Sequence, residues 1–250
     1  MKKLLPRFVT LFTLLVLLEG CRNHQDPTDP MGRTLKSVKV PYTTSPVTID
    51  GKLNEAAWKT AAEVDDFVFP WWEAGEKEAT KARLTWDDQY LYVAFICEDT
   101  HIWAVHKERD SPVYQDDCVE VFAAPNPENL KNYYNVEMNA IGAHLDFHHP
   151  EGPGGKVEWN PAVKIATSIE GTLNDDSDQD TRWILEAALP FADYRAAAVN
   201  VPPQLGDEWR VNLHRLGGET NAQMSMWSPG DPANKAFHTP PFFGRIIFEK

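Results

Sequence analysis

Three closely spaced runs of aromatic and β-branched residues between Arg83 and Pro125 set the limits on what this chain can become. Arg83-Leu84-Thr85-Trp86 leads through the turn Asp87-Asp88-Gln89 into a second run over residues 90–97. Asp117-Cys118-Val119-Glu120-Val121-Phe122 is the third. Such residues suit a pleated, largely buried surface, so all three are predicted strands. The second run is apolar at consecutive positions, which calls for cover on both faces of a sheet. The connecting loop over residues 98–116 holds Trp103 and Tyr114 and is free to carry binding residues.

The pattern continues on both sides. Residues 47–51 read as a short strand ending in a turn, and Asn54 as the cap of a short helix over 55–61. Within that helix Trp58 is expected to plug the core. Residues 67–72 contain Pro70 and are an edge strand or loop; Trp71 and Trp72, being adjacent, would point to opposite sides and leave one exposed. Residues 133–140 alternate, with Tyr134, Val136 and Met138 on one face and Asn135, Glu137 and Asn139 on the other. That polar stripe is either plainly solvated or able to hydrogen-bond a ligand. After Gly142 the chain returns over 144–148. Residues 163–169 and 183–189 read as paired strands, 191–199 as a short helix, and 207–216 as a strand with Trp209, Val211 and Leu213 facing in. Residues 223–227 and 244–249 close the sheet. Strands far outnumber helices. The expected fold is an all-β antiparallel sandwich, jelly-roll or immunoglobulin-like in layering, with one or two short helices. One domain over residues 39–250 accommodates it.

The N-terminus addresses the chain outward. Met1-Lys2-Lys3 and Arg7 precede an apolar run over 8–18 that is too short to span a bilayer comfortably. Leu18-Glu19-Gly20-Cys21 resembles a bacterial lipobox. Residues 1–20 are then a signal peptide, and Cys21 the lipidated N-terminus of an exported cell-envelope lipoprotein. Residues 21–38, with Pro27, Pro30 and Gly32, are expected to be a flexible tether. The net charge of −13 argues against nucleic acid as a partner.

Chemical motifs are sparse. G-x-S-x-G, Walker, G-x-G-x-x-G and H-E-x-x-H patterns do not occur. Nothing in the spacing selects two carboxylates for glycoside hydrolysis, so no catalytic residue is assigned; a glycoside hydrolase with unidentified acids stays as one alternative. His144, Asp146 and His148 share a strand face, but residues two apart lie about 7 Å apart, wide for one ion. Asp176, Asp178 and Asp180 imitate the start of an EF-hand loop without its glycine and closing glutamate, and read as a solvated hairpin tip. Cys97 and Cys118 are two buried thiols or a pair. A second alternative is a haem-binding electron-transfer sandwich, with Met138, Met224, Met226 or His144 as axial ligands.

Four motifs in order carry a family resemblance. Ile49-Asp50-Gly51-Lys52-Leu53-Asn54-Glu55-Ala56-Ala57-Trp58 is similar to the opening of family 9 carbohydrate-binding modules. Trp86-Asp87-Asp88-Gln89-Tyr90-Leu91-Tyr92-Val93 and Gln115-Asp116-Asp117-Cys118-Val119-Glu120-Val121-Phe122 resemble later signatures. Trp227-Ser228-Pro229-Gly230-Asp231-Pro232 and Phe243-Gly244 resemble the closing one. The resemblance implies two antiparallel sheets, structural calcium in some members, binding at the ends of sugar chains, and partner hydrolases that do the cutting. In the best-understood members two Trp residues sandwich a sugar ring. Tyr114 and Phe237 occupy those places here, Asn234 matches an Asn beside the second aromatic, and Asn135 replaces an Arg. The implied carbohydrate site is therefore Tyr114, Phe237, Asn234 and Asn135, with Trp71 or Trp72 as a wall. Both platform rings are expected to be exposed and to face each other. The C–H face of a sugar stacks on such rings, while its hydroxyls need polar partners to offset desolvation. The expected function is non-catalytic capture of a polysaccharide or oligosaccharide, supporting its breakdown.

Overall fold

The computed structural model describes residues 26–219 and 221–250. In chain order its strands are β1 (Ser37–Pro41), β2 (Ala62–Val64), β3 (Thr80–Trp86), β4 (Tyr90–Glu98), β5 (Cys118–Ala124), β6 (Tyr133–Asn139) and β7 (His144–His149). There follow β8 (Val157–Glu158), β9 (Lys164–Glu170), β10 (Arg182–Pro190), β11 (Glu208–Leu216), β12 (Met224–Met226) and β13 (Gly244–Glu249). They form a two-sheet sandwich. The larger sheet runs β1-β13-β11-β5-β6-β7-β8 with β12 paired to β11, and the smaller runs β2-β3-β4-β10-β9. Every pairing is antiparallel except that of β1 with β13.

Alternation puts the core between the sheets. Leu91, Val93 and Phe95 of β4 meet Val119, Val121 and Ala123 of β5, joined by Tyr134, Val136 and Met138 of β6 and by Trp209, Val211 and Leu213 of β11. The other face of β4 is covered too, as its apolar sequence requires: Tyr92 and Ala94 lie under Trp58. Trp58 sits on the helix α1 (Ala56–Thr60) and is 1% exposed.

Local chemistry explains where expectation and structure part. Residues 47–51 are not a strand, because the buried Glu186 carboxylate gathers their backbone instead. It accepts from the N–H groups of Asp50, Gly51 and Lys52 at 3.0, 2.6 and 3.2 Å, and from the Trp58 indole at 2.7 Å. Glu55 rather than Asn54 occupies the N-cap, with no side-chain cap bond. Over 191–199 the helix reduces to a 3-10 turn, Phe191–Tyr194, whose two buried rings are anchored in the core. A turn with three residues per revolution keeps positions i and i+3 on one side, as those anchors require. Residues 67–72 make only the bridge Val68↔Met226.

Cys97 and Cys118 are free and buried. Cys97 faces the inter-sheet core, and Cys118 lies in a small cluster with Val113 and Leu145. The Asp176–Asp180 stretch is not wholly solvated: Asp180 is buried and accepts from Ile102 N–H at 2.7 Å and Thr172 N–H at 2.6 Å. The signal peptide and Cys21 lie outside the described residues. The later part of the expected tether packs on the domain. Leu35 is buried, Asp29 holds Arg33 by an ion pair, and Arg33 donates to the carbonyls of Pro229 and Gly230 at 3.2 and 2.9 Å.

Candidate functional site

Residues whose side chains face away from the core on β5, β6 and β7 form the floor of a cavity of about 460 Å3 on the outer face of the larger sheet. β5 supplies Glu120 and Phe122, β6 supplies Asn135 and Glu137, and β7 supplies Phe147 and His149. Loops supply the walls: Tyr114 on one, Lys156 on another, and Ala236, Phe237 and His238 on a third.

Each wall is held by identifiable contacts. Tyr114 sits in the 3-10 turn Val113–Gln115, whose Val113 is buried and pins the turn to the sheet. Asp116 draws in the preceding loop, accepting from Val105 and His106 N–H at 3.2 and 3.1 Å and from Asn139 Nδ2 at 2.7 Å. Asp117 accepts from Trp103 and Gly218 N–H at 2.6 and 2.5 Å. Tyr114 is left 45% exposed. Phe237 is not: it is 6% exposed, stacked on His214 at 4.1 Å between centroids and tilted against Trp71 at 5.7 Å. The expectation of two exposed rings therefore holds for Tyr114 alone. The aromatics of the last loop were drawn inward by the His214 face of β11.

The floor is a buried polar network. His149 Nε2 donates to Asn135 Oδ1 at 2.7 Å, and Asn135 Nδ2 donates to Glu137 Oε1 at 2.8 Å. Glu120 stands opposite Glu137 in the β5–β6 register. Glu120 Oε2 and His214 Nδ1 are 3.6 Å apart, too far for a direct bond. Glu120 Oε2, Glu137 Oε2 and both ring nitrogens of His214 are buried without a partner in the protein. Unpaired buried groups carry a desolvation cost that a hydrogen-bonding ligand removes. Burial, and then Glu137, pushes the Glu120 carboxyl well above the usual range; burial pushes Glu137 up to about 7. Burial likewise holds His149 and His238 down at about 4 and His214 well below its ordinary value. The cavity thus presents the neutral imidazoles of His149 and His238 and carboxyls that retain protons unusually far up the pH scale, while His214 lies behind the Phe237 ring and outside the lining.

The implied site residues divide. Tyr114, Phe237 and Asn135 come to one cavity. Asn135 is fully buried with both amide atoms engaged, so of the buried polar stripe of β6 it is Glu137, through Oε2, that is left with an unpartnered atom. Asn234 is exposed on the loop before Phe237 and does not line the cavity. Trp71 and Trp72 line a neighbouring one. Sequence reasoning passed over Glu120, His149, His214 and His238. The available signal was polarity at outward positions of strands otherwise built from core residues.

His144, Asp146 and His148 face the other way. Asp146 accepts from Arg109 at 2.8 Å, and His148 stacks on Tyr134 at 4.3 Å. Among the described residues no group of three or more His, Cys, Asp or Glu side chains is arranged to hold a metal ion. Of the candidate haem ligands, Met138 lies in the inter-sheet core and Met226 in the cluster around Phe122 and Phe243, so that pair is separated.

Comparison with known proteins agrees with this geometry. The sequence profile described as "Carbohydrate family 9 binding domain-like" matches residues 49–250. Endo-1,4-beta-xylanase C of Paenibacillus barcinonensis is 26% identical over 220 residues, covering 88% of this chain and 18% of the xylanase. Endo-1,4-beta-xylanase A of Thermotoga maritima is 27% identical over 199 residues, covering 79% and 16%. The chain thus spans less than a fifth of the length of these curated relatives. A Bacteroides uniformis protein described as a candidate carbohydrate-binding protein superposes with a TM-score of 0.73 at 20% identity, covering 86% of this chain and all of the other. A family 9 module from Caldicellulosiruptor kristjanssonii in complex with cellotriose superposes with a TM-score of 0.58 at 17% identity, covering 86% and 94%. With its two-sheet sandwich and an aromatic-walled polar cavity on the outer face, the chain falls in the class of carbohydrate-binding domains. Within that class the chain belongs to the carbohydrate family 9 binding domain-like family.

Proposed function

We propose that the cavity between Tyr114 and Phe237 receives one sugar unit of an oligosaccharide or polysaccharide. The observation that carries this is the meeting, around one cavity, of an exposed aromatic ring and buried carboxyl and imidazole atoms without protein partners. A sugar supplies both complements: a C–H face for the tyrosine and hydroxyls that donate and accept. Glu120 and Glu137 serve here as hydrogen-bonding groups. They stand opposite one another on β5 and β6.

Relatives suggest which chains to test. One structural neighbour holds cellotriose and another glucose, and the sequence relatives include xylanases and an exoglucanase. Calorimetric titration of the full chain with glucose, xylose, and cello- and xylo-oligosaccharides is expected to give saturable binding. Absence of heat with every sugar would overturn the reading. The same proposal places the domain outside the cytoplasm, anchored through a lipid on Cys21 and delivering polysaccharide to hydrolases. Labelling with radioactive palmitate should mark the wild-type protein and not Cys21→Ser; equal labelling, or none, would remove the anchor.

A further inference from the structure

The cavity next to the proposed site has tryptophan walls of its own. Its volume is about 450 Å3, and it shares Leu216 with the first. Phe237 lines the first cavity and Trp71 the second; with centroids 5.7 Å apart, this pair is the partition between them. Trp71 Nε1 is buried without a protein partner. Trp72 is 45% exposed, and Lys77 Nζ lies 4.5 Å from its ring centroid. Trp72 lines the cavity and Lys77 does not. Across the mouth, Lys235 pairs with Glu73 at 3.3 Å. Gln223, in the wall, is fixed by its bonds to Glu78.

We propose that this second cavity holds the next sugar unit of a chain whose first unit occupies the Tyr114–Phe237 cavity. The inference rests on the sugar-binding reading of that cavity and deepens it, because the ligand becomes an oligosaccharide rather than a single terminal unit. The Trp72 ring supplies a platform for a C–H face. The Trp71 N–H is a buried donor that a hydroxyl would satisfy, and the Lys235–Glu73 pair offers a donor and acceptors at the rim. The shared Leu216 sets the two cavities side by side, and one chain would cross from the first to the second over the Phe237–Trp71 partition. On the opposite side a third cavity shares His238 and Pro153 with the first, but Leu130, Pro240 and Pro241 dominate it. It has little to match hydroxyls, so the chain runs toward Trp72.

Calorimetry of the full chain against one homologous series, from monosaccharide to tetrasaccharide, tests this. Wild type should gain about tenfold in affinity once the ligand is long enough to reach the second cavity. Trp72→Ala should lose that gain while keeping monosaccharide affinity and the melting temperature, since its ring is exposed and outside the first cavity. A wild type whose affinity does not change with length overturns the second subsite and leaves the first intact. Equal weakening for monosaccharide and oligosaccharide in Trp72→Ala also overturns it. Failure to bind any sugar defeats both readings together.

Discussion

Gly51 shows how much a single residue of the opening motif is asked to do. Its φ is +82°, and a Cβ there would sit 2.7 Å from the backbone carbon and oxygen of Thr167. Only glycine reconciles that conformation with so close an approach. Gly51→Ala should cost at least about 2 kcal/mol, seen as a lower midpoint in urea with an unchanged slope. The two platform aromatics should differ as sharply. Tyr114→Ala is expected to weaken sugar binding about tenfold and leave the melting temperature alone. Phe237→Ala removes a buried ring packed on His214 and should also cost about 3 kcal/mol of stability. Equal thermal behaviour of the two variants would contradict the burial difference between them. The position of Phe237 in a proline-containing loop was legible, but its inward turn was not. That turn depends on His214, a residue of a distant strand.

At the scale of the strand, the outer face of β5 and β6 carries a pH response. Glu137 is raised to about 7 from an ordinary value near 4.5. A carboxyl raised on folding contributes stability below its unfolded value and loses it as pH climbs to the folded one. Relative to wild type, Glu137→Gln should therefore gain stability between about pH 4.5 and 7. His149 and His238, held at about 4, act in the opposite sense, losing stability as pH falls from 6.5 toward 4. The informative quantity is the variant-minus-wild-type difference in unfolding free energy across that range; a flat difference would show that Glu137 does not titrate there. Most of the longer strands were plain from their residue pattern, as 244–249 coincide with β13 and 90–97 fall within β4, whereas β1, β2 and β8 were not expected and 47–51 form no strand. Whether an outward polar residue is wet was not plain, because loops around 114, 156 and 237 cover Glu120 and Glu137, and contacts that distant in sequence leave no local pattern. The motifs also speak more of scaffold than of ligand. Asp87 accepts from Gln89 and Tyr90 N–H at 2.7 and 2.8 Å, and Gly244 makes room for Trp227, whose ring carbon would lie 2.6 Å from a Cβ there. Only the third motif reaches the cavity, through Glu120 and Phe122.

For the molecule as a whole, the segment ahead of β1 is part of the domain. Arg33 joins it to the loop at Pro229 and Gly230, and β1 extends the larger sheet alongside β13. Removing residues 1–25 should leave thermal unfolding unchanged, while removing residues 1–41 should lower the melting temperature by several degrees through loss of a strand and the buried Leu35. This docking also alters the geometry of attachment. With Cys21 as the anchored residue, a leash ending at Pro41 would let the domain roam about 70 Å from the bilayer, but one ending at the buried Asp29 reaches only about 25–30 Å. If the proposed anchor holds, a domain on so short a lead would meet chains lying close to the membrane surface rather than those in the surrounding medium.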